Sequence, residues 1–188
     1  GYATAPGSNA TSAAEYVVSA LLVLAERKGF ELAGRRVGIV GCGNVGSRVR
    51  DRLTPLGRQC LVNDPPLKAP AGHADYVELD DRLDADVITL HVPVTREGAW
   101  PTWHLADRAF LELLKPGTVL VTTAPGADVD KAALDALQTW RDDLTEVLDV
   151  CECEPAISQE LLQKVDFATP HIAGYTLDGK LRGTQMIY

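Results

Sequence analysis

Residues 37–49, Val-Gly-Ile-Val-Gly-Cys-Gly-Asn-Val-Gly-Ser-Arg-Val, allow few folds. A short apolar run over 35–41 reads as a buried strand, and 44–57 reads as a helix ending at Gly57. Between them Gly41, Gly43 and Gly46 form a Gly-x-Gly-x-x-Gly turn. The first glycine permits a tight turn, the second lets backbone approach a pyrophosphate, and the third lets helix and strand pack closely. Asn44 and Val45 then open the helix, whose free N–H groups and positive end favour phosphate oxygens. The cofactor-facing positions are therefore Gly41, Gly43, Asn44, Val45 and Gly46.

The rhythm repeats along the chain. Apolar runs at 58–64, 86–93, 117–124, 145–150 and 165–170 read as further strands, with helical spacing at 106–115, 130–140 and 158–165 between several of them. Strands alternating with helices predict a parallel sheet covered on both faces, an α/β doubly wound architecture of the Rossmann type. Ahead of it, 12–29 predicts a helix opened by a Ser12–Glu15 capping box and closed at Gly29. Residues 63–73, rich in proline, read as an exposed loop.

The second strand ends at Asp64, where a carboxylate can accept hydrogen bonds from both ribose hydroxyls of a dinucleotide and repels a 2′-phosphate. Pro65 and Pro66 follow, with no arginine to receive such a phosphate, so NAD is expected rather than NADP. S-adenosylmethionine enzymes also place an acid here, and the turn alone does not decide the chemistry. In an open parallel sheet ligands lie beyond the carboxyl ends of the strands. Those ends carry His-Val-Pro at 91–93, Thr-Thr-Ala-Pro-Gly at 122–126, Asp149 to Pro155, and Thr169 to Tyr175. A histidine held by a carboxylate is a general acid/base near neutral pH, so His171 is the candidate.

The chain has 188 residues and a formal charge of −8. No basic stretch can track a phosphate backbone, and no apolar run reaches the roughly 18 residues of a membrane span, so neither nucleic acid nor membrane is an expected partner. Four cysteines lack a secreted-framework spacing and no leader opens the chain, which points to the cytoplasm. Cys151-x-Cys153 has no second cluster beside it, and no metal is expected. The two ends read as cuts through a longer protein.

Val-Gly-Ile-Val-Gly-Cys-Gly-Asn-Val-Gly, Asp64, His-Val-Pro, Leu-Lys-Pro-Gly-Thr-Val-Leu-Val, Asp-Val-Cys-Glu-Cys-Glu-Pro and Thr-Pro-His-Ile-Ala-Gly together resemble the nucleotide-binding domain of the D-isomer-specific 2-hydroxyacid dehydrogenases. Gly-Tyr after His-Ile-Ala, with Gly-Lys-Leu-Arg-Gly beyond it, is similar to a branch that acts on a small phosphorylated sugar acid as a homodimer. The resemblance implies hydride transfer to NAD, with His171 as proton donor/acceptor and Glu154 orienting it. It implies that Asp64 binds the adenosine ribose, Val92 lines the cofactor, Asp149 meets the nicotinamide carboxamide, Gly174 touches the cofactor and Tyr175 the substrate. It divides the chain into a nucleotide-binding domain over 1–174, with 1–29 its leading helix, and the start of a return to a substrate and dimerisation region over 175–188. One departure stands out. Where the family carries an arginine that grips the substrate carboxylate, in an Asn-x-x-Arg-Gly turn, this chain has Pro125, with Thr122 at the asparagine. Proline has neither a cation nor an N–H, and Lys131 lies on the following helix.

Overall fold

The computed structural model describes residues 3–71, 76–79, 84–124, 126–137, 140–152, 154–157 and 159–188, with the side chains of 69–71 left aside. Six strands form a single sheet: β1 (Arg36–Val40), β2 (Gln59–Asn63), β3 (Val87–Leu90), β4 (Val119–Thr122), β5 (Thr145–Leu148) and β6 (Phe167–Ala168). Their spatial order is β2-β1-β3-β4-β5-β6, and every pairing is parallel. The helices are α1 (Ala10–Lys28), α2 (Asn44–Leu53), α3 (Pro65–Ala71), α4 (Arg108–Leu113), α5 (Lys131–Leu137), α6 (Gln159–Lys164) and α7 (Leu177–Ile187).

Successive strand residues enter two different cores, because side chains alternate across a strand. Val37, Ile39, Val87, Val119, Val121 and Val147 pack with α1 and α2 through Val17, Leu21, Leu24, Val49 and Leu53. Val40, Ile88, Leu90, Leu120 and Leu148 pack with Phe110, Leu111, Leu134, Leu137 and Leu161 of α4, α5 and α6. Both faces are thus covered, which is why β3, β4 and β5 are buried throughout, Thr145 and Glu146 of β5 included. The doubly wound parallel sheet is the predicted one. The chain leaves β1 toward β2 on one side and reaches β3 on the other, so a crevice opens at the carboxyl ends of β1 and β3.

Two local expectations shift. The proline-rich stretch contains a helix, α3. Asp64 accepts the Leu67 amide on its side chain (3.2 Å), and its carbonyl accepts Leu67 and Lys68. Pro65 and Pro66 stand in the first turn, where an N–H would have no intrahelical partner. Helix α1 starts ahead of Ser12, and Ser12 Oγ donates back to the Asn9 carbonyl at 2.8 Å instead of capping. Glu15 is free of the capping role and accepts Arg52 of α2. The far end is as expected, with Gly29 left-handed at φ 68°.

Candidate functional site

The glycine turn separates into two kinds of demand. Gly41 has φ 88°, and a Cβ there would lie 2.7 Å from the His91 carbonyl oxygen, so the strand beside it leaves no room. A Cβ on Gly46 would lie 1.9 Å from the Gly41 oxygen. Those two glycines serve the fold. Gly43 is exposed, with φ −73° and no protein atom within 4 Å of its would-be Cβ. No protein atom crowds that position, so a ligand can approach the backbone there. Asn44 lies at the first position of α2 with its side chain against Gly7, and Val45 packs into the α1 side of the sheet. Neither side chain is aimed at the turn, which leaves their backbone N–H groups as the means of holding a phosphate.

Asp64 follows β2 and reaches back to the turn: Oδ2 accepts the Cys42 amide at 2.8 Å while Oδ1 accepts Leu67. Each carboxylate oxygen keeps a further lone pair for hydroxyl donors. Asp64, Gly41, Gly43, His91 and Val92 line one cleft of about 520 Å³, together with Pro65, Pro66, Leu79, Thr95, Trp100 and Leu105. That volume lies within the usual range for small-molecule sites, on the order of 300–1,000 Å³. His91, the first residue of the His-Val-Pro stretch, also lines the cleft. Its ring bonds Thr89 Oγ1 at 2.8 Å and Thr123 Oγ1 at 3.2 Å, and burial holds its pKa down at about 3. A neutral imidazole therefore forms part of the cleft wall.

The second constellation lies beyond β5 and β6. Asp149 is 1% exposed. Its Oδ1 accepts Thr169 Oγ1 (2.5 Å) and the Ile172 amide (2.8 Å), its Oδ2 accepts the Ala173 amide (2.9 Å), and its carbonyl accepts the His171 amide. The Thr169 proton is committed to Asp149, so the Tyr16 hydroxyl of α1 donates to Thr169 at 2.6 Å. These bonds force a tight turn in which His171 takes a left-handed backbone, φ 54°. In the structure these oxygens hold the turn that carries His171. The His171 ring, 60% exposed, is held at Nδ1 by Glu154 Oε2 at 2.8 Å. Glu154 is itself fixed by the Cys151 amide on Oε1. An ionised Glu154 can only accept, so Nδ1 carries the proton and Nε2 presents its lone pair outward.

Gly174 is packed: a Cβ would lie 2.3 Å from Asn9 Nδ2 at the start of α1. Tyr175 is 70% exposed, and Lys180 lies 3.6 Å above its ring and draws the phenol pKa down. Pro125 lies outside the described residues. Around it, Thr122 is buried, and a Cβ on Gly126 would lie 2.1 Å from the Cys151 carbonyl carbon, so this turn abuts the loop of Glu154. Two groups here escaped sequence reasoning. Asp128 is fully buried, and burial raises its carboxyl pKa to about 7. His104 bonds Glu152 at 3.3 Å. Neither belongs to a recognisable local motif, since each partner comes from a distant stretch or from the packing around it.

The family described as D-isomer specific 2-hydroxyacid dehydrogenase, NAD binding domain, matches residues 10–173. An erythronate-4-phosphate dehydrogenase of Chromohalobacter salexigens is 49% identical over 189 residues, covering 100% of this chain and 49% of that protein. One from Salinibacter ruber is 53% identical over 193 residues, again over 100% of this chain and 49% of its own length. The chain thus spans about half the length of these relatives. Among solved structures, the NAD-dependent formate dehydrogenase of Staphylococcus aureus in complex with NAD superposes with a TM-score of 0.82 at 28% identity, over 97% of this chain and 61% of that one.

Proposed function

The chain belongs to the D-isomer-specific 2-hydroxyacid dehydrogenases as an NAD-binding domain, and from that premise we propose that it is the cofactor-binding half of an enzyme that oxidises 4-phospho-D-erythronate to its 2-oxo acid, a step of pyridoxine synthesis. The roughly half-identical erythronate-4-phosphate dehydrogenases support the choice of substrate. The observation that carries the chemistry is the His171–Glu154 pair, fixed by Asp149 at the same carboxyl end of the sheet as the glycine turn.

The residues present fit NAD. Gly43 leaves space for a pyrophosphate, α2 supplies N–H donors, and Asp64 faces the cleft as a ribose acceptor. Val92 lines the cofactor cleft, and Gly174 touches the cofactor in this reading. Bound there, the nicotinamide would accept the hydride from C2. The chain's own part is proton handling. His171 Nε2 takes the proton of the C2 hydroxyl, and Glu154 stabilises the imidazolium through Nδ1. Tyr175, exposed beside His171, is available to the substrate. The full-length enzyme is a homodimer in this reading.

Pro125 favours a second reading, an NAD-binding domain without turnover. It offers no cation for the substrate carboxylate, and losing one such group costs on the order of 10²- to 10³-fold in rate. The deciding assay joins this chain to the regions its relatives have beyond it, and follows reduced nicotinamide with 4-phospho-D-erythronate and NAD. Turnover that disappears in His171→Ala supports the first reading. NAD binding without turnover, restored by Pro125→Arg, supports the second.

A further inference from the structure

Trp100 occupies an unusual place for so large an apolar side chain. It is 54% exposed and lines the same cleft as Asp64, Pro66 and Leu79. Its loop is held shut at the base. Thr95 O accepts the amides of Thr102 and Trp103, each at 2.9 Å, and the Thr95 amide donates to Thr102 Oγ1 at 2.8 Å. Gly98, φ 106°, makes the reversal within the loop. The two tryptophans of this segment are treated differently. Trp103 is sandwiched, with the Arg96 guanidinium 3.3 Å from its ring centroid and His104 stacked at 4.6 Å. Among the described residues nothing stacks on Trp100. A pinned loop thus presents one unpartnered indole to a cleft.

The order of groups along the cleft says what would meet that indole. Phosphates belong at Gly41 to Gly46 and a ribose at Asp64, so the group one bond beyond the ribose is a purine base. The rest of the cleft lining is mainly apolar, with Pro65, Pro66, Leu79 and Trp100 among it and Asn63, Glu78, Thr95 and Thr102 as its polar members. We propose that Trp100 stacks on the adenine of the dinucleotide and closes the outer end of the cleft over it. This deepens, and rests on, the nucleotide reading of the cleft. An aromatic face gains from a base by area and by stacking, irrespective of hydrogen bonds.

The test is calorimetry on the 188-residue chain with ADP-ribose, NAD and nicotinamide mononucleotide. Trp100→Ala should weaken ADP-ribose and NAD roughly ten- to a hundred-fold, the usual span for one base–aromatic stack. Trp100→Phe should recover most of that loss, and nicotinamide mononucleotide should bind both variants as it binds the parent. Indole fluorescence quenched by ADP-ribose in the parent should be largely unquenched in Trp100→Phe. Equal ADP-ribose affinities for parent and Trp100→Ala would overturn the stacking assignment and leave the nucleotide reading standing. Failure of the parent chain to bind ADP-ribose or NAD at all would overturn both.

Discussion

His171 and Glu154 are brought together by a third residue, Asp149. Asp149 gathers Thr169, Ile172 and Ala173 on its carboxylate, and that turn sets the imidazole against Glu154. Asp149→Asn would put an amide in place of acceptors that two backbone N–H groups need. It should destabilise the fold by about 1–3 kcal/mol in urea unfolding and lower kcat far more than it raises KM. Two other groups, Asp128 and the partly buried His91, are expected to shape the response to pH. Asp128 has a folded pKa of about 7, above its unfolded value of 3.8. The native state binds that proton more tightly, so its contribution is present below pH 3.8 and is lost as pH rises toward 7. His91 is the reverse: its folded pKa of about 3 lies below 6.5, so its contribution is present above pH 6.5 and is lost as pH falls. Between pH 4 and 6.5 the two slopes oppose each other. Asp128→Asn should therefore steepen the acid loss of unfolding free energy in that window, while His91→Gln should make stability fall as pH rises through it. Each effect is on the order of a few kcal/mol across the window, read from urea titrations at successive pH values.

The β1–turn–α2 element separates structural from ligand-facing glycine. Gly46→Ala sets a methyl 1.9 Å from the Gly41 carbonyl oxygen and must push α2 away from the strand. A loss of at least 2 kcal/mol is expected, with NAD binding lost alongside. Gly43→Ala meets no protein atom. Thermal unfolding should shift far less than in Gly46→Ala, while NAD affinity falls at least ten-fold. If both substitutions cost only stability, the turn holds no pyrophosphate. Asp64→Ala belongs to the neighbouring element. It should weaken NAD and narrow the preference for NAD over NADP, measured by calorimetry.

At the scale of the whole chain, half of each relative's length lies beyond the region matched here. A dehydrogenase must hold hydroxyl carbon and nicotinamide near contact and exclude water. The His171 ring is 60% exposed and Tyr175 70%, so the described residues leave one side of the site open. The 188-residue chain should bind NAD and yet give no reduced nicotinamide with 4-phospho-D-erythronate, and Pro125→Arg alone should not change that. Turnover by the chain as it stands would show that the described cleft suffices for the reaction.

The sequence by itself determined the alternation of strands and helices, the glycine turn and the acid after β2. Each of these depends on neighbours within about ten residues: side-chain period, turn conformation and helix capping act locally. The candidate pair His171 and Glu154 was legible as well, because both stand at strand ends, where a parallel sheet collects its ligand-facing groups. Tertiary structure decided the rest. Nothing local says that Asp149 would spend its oxygens on residues 169–173, that Tyr16 of the leading helix would reach Thr169, or that a Cβ on Gly174 would strike Asn9. The proline-rich stretch looked like a loop until Asp64 supplied acceptors for its first turn. The pKa values of Asp128 and His91 follow from burial beneath elements far away in the chain. Hydrogen bonds, close packing and desolvation between distant segments exist only once the sheet has assembled, and they set the orientation and charge of groups whose presence the sequence already announced.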